Sequence, residues 1–229
     1  MPRQVDHEER RHRIAEAVCL LADEHGLEGV TLRDVAARAR VSMGAVQRCF
    51  RSKEEMLVFT LGSIGERVTE RARASLVRSP AQSPATALGY AVTEVALLRE
   101  ERHAEARVWL AFLAQAAVSE PLADTLKAGY APLLDTFTRL IREVGESTGS
   151  TVPVDPRREA HALLALADGL TAHVLIGRLT SQEAQDVLHA HLDNLWDRHA
   201  ASGHTAAHAP GSRPANSLTV HHSSTPVQT

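Results

Sequence analysis

The chain is poor in cysteine, in aromatic residues and in strand-forming patterns, and each shortage removes a class of protein. Its two cysteines, Cys19 and Cys49, stand thirty residues apart with no Cys-x-x-Cys. Neither a disulfide framework nor a zinc ribbon is therefore expected, and the usage suits a reducing cytosol. No metal is expected among the histidines either. His161, His173, His189, His191 and His199 lack acidic or cysteine partners at ligand spacing, and His189 and His191 point to different faces of a helix. Long hydrophobic runs are also missing: Val108–Val118 is short, and Ala160–Ile176 is interrupted by Asp168 and His173. The charged opening MPRQVDHEERRHR contains no apolar leader, so no membrane partner and a cytoplasmic location are expected. The enzyme signatures GxSxG, GxxxxGK[ST], HExxH and GxGxxG do not occur, and an all-helical chain lacks the strands on which they are mounted. Neither an enzyme nor a cofactor is expected.

What is present is 229 residues, 44% of them apolar, which is ample for a buried core. A formal net charge of −3 hides an asymmetry. Between Thr31 and Lys53 stand Arg33, Arg38, Arg40, Arg48, Arg51 and Lys53 against Asp34 alone, a net +5 that leaves −8 for the remainder. Such an island is the electrostatic footprint of a phosphate-binding module, although a solvated basic face accounts for charge alone equally well. The pattern around it has to decide.

Nearly every segment has helical period, so the fold class is all-α, with about nine helices. The first helix is expected from about His7 to His25, opened by an Asp6/Glu9 capping box and closed by Gly26. Thr31 with Asp34 caps a short second helix over Leu32–Ala39, stapled by Val30 and Val35. Ser42 caps a third ending near Phe50, stapled by Val41 and Val46; Ser52 and Glu55 start a fourth that lasts to about Val77. Arg78–Pro84 reads as a linker. Ser83 and Pro84 open a fifth helix, a sixth contains Ala104–Val118, and a seventh runs from Pro121 to Glu146 with a kink at Gly129–Pro132. Asp155–Pro156 and Thr180/Glu183 open the last two. The pattern divides the chain into an N-terminal domain over 1–53, a connecting helix over 54–77, a helical domain over 84–200 and a disordered tail over 201–229.

Two short helices joined by a tight turn within Thr31–Phe50 have the dimensions of a helix-turn-helix, whose second helix enters the DNA major groove. Val35, Ala36, Val41, Val46 and Phe50 would lock the pair, leaving Met43, Gly44, Gln47 and Arg48 on the free face. Gln bonds adenine bidentately and Arg bonds guanine, while Gly44 and Ala45 allow close approach and contact with thymine methyls. Thr31 and Ser42 at helix N-termini, and Lys53 in the first turn of the fourth helix, suit phosphates.

The run GVTLRDVAARARVSMGAVQRCFRSKEEML, Gly29 to Leu57, resembles the N-terminal domain of TetR/AcrR-family transcriptional regulators. The Thr31–Ala36 start, Val41-Ser42, Gly44, Phe50 and Ser52–Leu57 fall where that family has them. Carried over, the resemblance implies phosphate contacts from Thr31, Ser42 and Lys53 and base contacts from Gly44, Ala45, Gln47 and Arg48. There are departures: Arg40 replaces the usual turn glycine, Met43 a frequent lysine, and Gln47-Arg48 a common aromatic pair. A left-handed Arg40 would cost about 1–2 kcal/mol. Glu105–Val118 resembles the subgroup with a betaine-regulator-type C-terminal domain.

The family resemblance further implies a homodimer on a palindromic double-stranded operator and a small-molecule inducer that releases it, with the fourth helix and the sixth-to-seventh junction transmitting the change. A repressor is expected. The pocket candidates are Trp109, Phe112, Leu113, Tyr130, Leu134 and Phe137, although aromatics at helical spacing are equally core residues. The interface candidates are Leu166, Leu170, Val174, Leu188, Leu192 and Leu195, which could equally be core, with Ala162, Ala165, Ala167 and Gly169 permitting close approach. The alternative keeps the DNA module and replaces the inducer with a partner protein, or with nothing, as in an architectural binder. A cavity separates these readings.

Overall fold

A computed structural model describes residues 2–77, 83–148 and 154–200. Among them are nine α-helices and no strand. They are α1 (Pro2–His25), α2 (Leu32–Arg38), α3 (Met43–Cys49), α4 (Lys53–Val77), α5 (Pro84–Val95), α6 (His103–Ala116), α7 (Glu120–Thr148), α8 (Pro156–Leu175) and α9 (Ser181–Ala200), with one 3-10 turn at Glu100–Arg102. The linker residues 78–82 and the tail 201–229 lie outside the described residues.

The caps sit where short-range chemistry puts them. Thr31, Ser42 and Ser83 each accept the backbone N–H three residues on, at 3.2 Å, and Asp155 accepts from Arg157 and Arg158. Each such cap is worth about 1 kcal/mol. Thr180 and Glu183 close a reciprocal box, whereas Glu55 reaches the N–H of Arg51 at 2.7 Å rather than that of Ser52. One boundary differs from expectation, and an expected kink leaves its helix unbroken. Helix α1 starts at Pro2, so Asp6 and Glu9 lie inside it: Pro is tolerated in a first turn, and nothing in the next residues breaks the helix. Helix α7 runs unbroken through Pro132 for 29 residues, and Thr136 returns a hydrogen bond to the Pro132 carbonyl at 2.8 Å.

Gly26 takes φ +71° to end α1, as a C′ glycine does. In the α2–α3 turn the same left-handed conformation falls on Arg40, φ +54°, so the chain carries there the strain that a glycine would remove.

Packing orders these elements into a head and a body. Helices α1, α2 and α3 pack on one another over Ile14, Val18, Val35, Val46 and Phe50, all buried. Helix α4 leaves this head and packs along α5 and α7, and α7 also contacts α6, α8 and α9. One continuous apolar cluster runs from the head through Met56, Leu61 and Ile64 of α4 to Phe112, Phe137 and Leu163 of the body.

Candidate nucleic-acid interface and effector cavity

Helix α3 presents a polar strip because its sequence alternates buried and exposed positions at helical spacing. Ala45, Val46 and Cys49 turn inward; Met43, Gln47 and Arg48 are exposed and Gly44 is half-buried. The burial of Ala45 corrects its expected place at a base edge, since its methyl is turned into the head. A Cβ on Gly44 would stand 3.5 Å from Arg48 Nη1, so the Arg48 guanidinium lies over the bare Gly44 backbone. Ser42 is exposed and caps α3. Thr31 is exposed, but its hydroxyl donates to Asp34 Oδ2 at 2.6 Å, so that proton is already engaged. Lys53 Nζ donates to the Glu28 carbonyl at 3.3 Å, which fixes the ammonium beside the head.

The positive island survives folding only in part. Arg38 forms a bidentate pair with Glu24, at 2.8 and 2.6 Å, that holds Glu24 below the ordinary carboxylate range through its hydrogen bond and charge. Among the described residues Arg33, Arg40, Arg48 and Arg51 make no ion pair. The head thus keeps four exposed guanidiniums without an ion pair among the described residues: Arg48 on the α3 strip itself, and Arg33, Arg40 and Arg51 outside α3.

The body holds a second site, built from residues distant in sequence. Asp168 of α8 accepts from Trp109 Nε1 of α6 at 2.9 Å and from the Tyr130 hydroxyl of α7. The two rings meet edge to face, with centroids 5.7 Å apart. Burial pushes the Asp168 carboxyl upward, against the lowering pull of its two donors, and burial together with the Asp168 charge pushes Tyr130 up as well. Among the described residues Asp168 has no cationic partner.

This cluster stands between two cavities. One, of about 430 Å³, lies between α4 and α7, with Gly65, Glu66, Glu70, Arg73 and Gly129 in its wall and Trp109 at its edge. A Cβ on Gly65 would be 4.0 Å from the Gly129 Cα, an ordinary van der Waals contact, so α4 and α7 pass close to one another there. The other, of about 510 Å³, lies between α7 and α8; Leu113, Tyr130, Leu134 and Asp168 line it, and so do the basic Lys127, Arg157 and His161, none of them within ion-pair distance of Asp168.

Four of the pocket candidates, Trp109, Leu113, Tyr130 and Leu134, therefore face cavities. Phe112 and Phe137 are corrections: both are fully buried core residues. The interface candidates are corrected more heavily. Leu170, Val174, Leu188, Leu192 and Leu195 are all buried within the protomer, because their stripes are used to pack α8 and α9 onto the body. Leu166 stays half-exposed, and the face left open carries Ala162, Ala165, Gly169, Ile176 and Val187; Ala167 is buried.

Asp168 was visible in the sequence only as an interruption of an apolar run, and a polar residue in such a run is the signal that could have found it. The α6–α7 junction and the start of α4, expected to transmit a signal, line one cavity together through Val118, Pro121, Lys53 and Leu57. Among the described residues no metal-holding cluster occurs and no helix is long and apolar enough to cross a membrane.

A capped recognition helix with an exposed Gln-Arg strip, set among free guanidiniums, defines a helix-turn-helix DNA-binding protein. The family model for bacterial regulatory proteins of the tetR family matches residues 14–58, and that for the BetI-type transcriptional repressor C-terminal domain matches residues 84–197. The regulator PksA of Bacillus subtilis is 32% identical over 197 residues, covering 85% of this chain and 94% of its own. The regulator BetI of Agrobacterium fabrum is 30% identical over 164 residues, covering 70% and 74%. A transcriptional regulator of Rhodococcus sp. RHA1 superposes with a TM-score of 0.71 at 29% identity, covering 81% of this chain and 95% of that one. One from Saccharomonospora viridis, in complex with choline, gives 0.71 at 24% identity, covering 81% and 96%. The chain belongs to the TetR family, with a BetI-type C-terminal domain, and is a DNA-binding transcriptional regulator.

Proposed function

We propose that the protein is a homodimeric repressor released from its operator by a compact organic cation held at Trp109, Tyr130 and Asp168. The observation that carries the ligand assignment is the largely buried Asp168 carboxylate, which lacks a cationic partner among the described residues. A buried charge without a counter-charge is costly, and a ligand cation would supply one. The Trp109 and Tyr130 rings beside it add cation–π attraction. The choline complex of the Saccharomonospora viridis neighbour agrees with this chemistry. The cavities favour a small ligand over control by a partner protein alone.

DNA is read by Gln47 and Arg48 through base edges, with Gly44 allowing close approach and Ser42, Lys53 and Thr31 on phosphates; Thr31 exchanges its Asp34 bond for a phosphate. The open face of α8 and α9, with Ala162, Gly169, Ile176 and Val187, is the surface on which two protomers pair. Pairing sets two recognition helices about 34–36 Å apart on a palindromic site. Release requires that the ligand prefer the form that does not bind DNA, since equal affinity for both forms shifts nothing.

Thermal denaturation with choline and with tetramethylammonium tests the ligand, using acetate as the control anion. Both cations are expected to raise the midpoint of the wild-type protein and neither that of Asp168→Asn; no shift in the wild-type protein overturns the cation assignment. Sedimentation of Gly169→Arg tests the dimer. A Cβ there meets nothing within 4 Å inside the protomer, so a folded monomer is expected, and an unchanged dimer overturns this face as the interface.

A further inference from the structure

The head meets the body through α1, which packs on both α4 and α6. Across the α1–α6 contact Arg107 reaches Asp23, with Nε donating to Oδ1 at 2.6 Å and Nη2 to Oδ2 at 3.2 Å. A bidentate, charge-assisted pair fixes angle as well as distance. Among the described residues it is the one ion pair that joins α1–α3 to α5–α9: Glu24–Arg38 stays inside the head, and Arg71 with Glu94 and Glu105 stays outside it. Two residues beyond Arg107, about 3 Å along the same helix, α6 carries Trp109 into the cavity cluster. Beside Asp23 a cavity of about 440 Å³, lined by Leu20, Ile64, Arg67 and Val108, leaves room for α1 to shift against α6.

We propose that the Asp23–Arg107 pair is the positioning contact through which the state of the Trp109 cavity sets the orientation of the DNA-reading head. The proposal rests on the DNA-binding, ligand-responsive reading above. Arg107 and Trp109 share one rigid helix, so a ligand that turns α6 at Trp109 turns the guanidinium with it. The side chains of Arg107 and Asp23 are 50% and 24% exposed, and a pair this open to solvent adds little stability. Its removal is expected to leave the fold intact and to cut communication. Linkage makes this testable without an identified ligand, because coupling is reciprocal: DNA must alter the cavity as the cavity alters DNA binding.

The full chain carrying Trp196→Phe keeps Trp109 as its single indole, since the sequence has two tryptophans. Its emission is followed on saturation with a duplex that the wild-type protein selects from a random pool. The expected result is a shift of Trp109 emission on DNA binding. Adding Asp23→Asn or Arg107→Gln removes the shift while DNA still binds, and the exchanged pair Asp23→Arg/Arg107→Asp restores it. An equal shift in every variant overturns the proposal, as does the absence of any shift in the parent. A loss that the exchanged pair does not restore also overturns it, since that marks local packing rather than the ion pair. A pool that yields no selected duplex overturns the functional reading and this inference with it.

Discussion

The head and the body use the same helical material in opposite ways. In the head the caps that start and aim the short helices are bonds spanning three positions: Thr31 to Asp34, Ser42 to Ala45, Ser52 to Glu55. In the body the Trp109–Tyr130–Asp168 cluster joins residues 59 and 38 positions apart, on three helices. Local chemistry suffices to aim a recognition helix, whereas a cavity exists only after the core has packed. That difference is physical: caps and staples act within one helical turn, and a cavity is a property of helix–helix distances.

Five perturbations would break or sharpen this contrast, and the largest tests whether head and body are separate at all. Phe112→Ala removes a fully buried ring and is expected to cost about 3–5 kcal/mol in chemical denaturation. Because one apolar cluster runs from head to body, a single transition is expected by helical and by Trp signals, and two transitions would separate them. Next, Arg48→Ala is expected to weaken binding to the selected duplex by about 1–3 kcal/mol and to leave a scrambled duplex nearly unaffected. Lys53→Ala should instead weaken both alike, and the reverse pattern would exchange their roles.

A smaller effect is expected in the turn. Arg40→Gly relieves a left-handed arginine and should stabilise the protein by about 1 kcal/mol, read from the denaturation midpoint. An accompanying loss of affinity for all DNA would mean that the strain is kept for a phosphate contact.

The least effect is a pH dependence. Burial raises the Asp168 carboxyl, so the folded protein holds that proton more tightly than the unfolded chain does. The associated stability is full below the ordinary carboxylate value and is lost as pH climbs from there through the raised one. Asp168→Asn should flatten thermal stability across that window, and an unchanged profile would show that the carboxyl does not titrate there.

Legibility followed the same divide. The Thr31, Ser42, Ser83 and Asp155 caps and Gly26 were readable because each is decided by a few neighbouring residues, whereas the left-handed turn at position 40 was suggested only by the family's usual glycine there. Ala45 was misplaced within the legible region, since its position one residue from Gly44 on a short helix is enough to turn it inward. In the body, Leu188, Leu192 and Leu195 were apolar stripes with two possible partners, and sequence periodicity does not say whether a stripe meets its own protomer or another. The partners of Asp168 and the Asp23–Arg107 pair were invisible for a different reason. These contacts span 38 to 84 residues, and charge spacing along the chain carries no such distance.

The function of the head turns on whether the exposed strip of α3 reads sequence. The direct measurement is the affinity of the wild-type protein for its selected duplex and for a scrambled duplex of equal length across a range of salt. A ratio above about a thousandfold that persists as salt rises is predicted. Equal, steeply salt-sensitive affinity for both would leave only phosphate attraction and would contradict the assignment of Gln47 and Arg48 to base recognition.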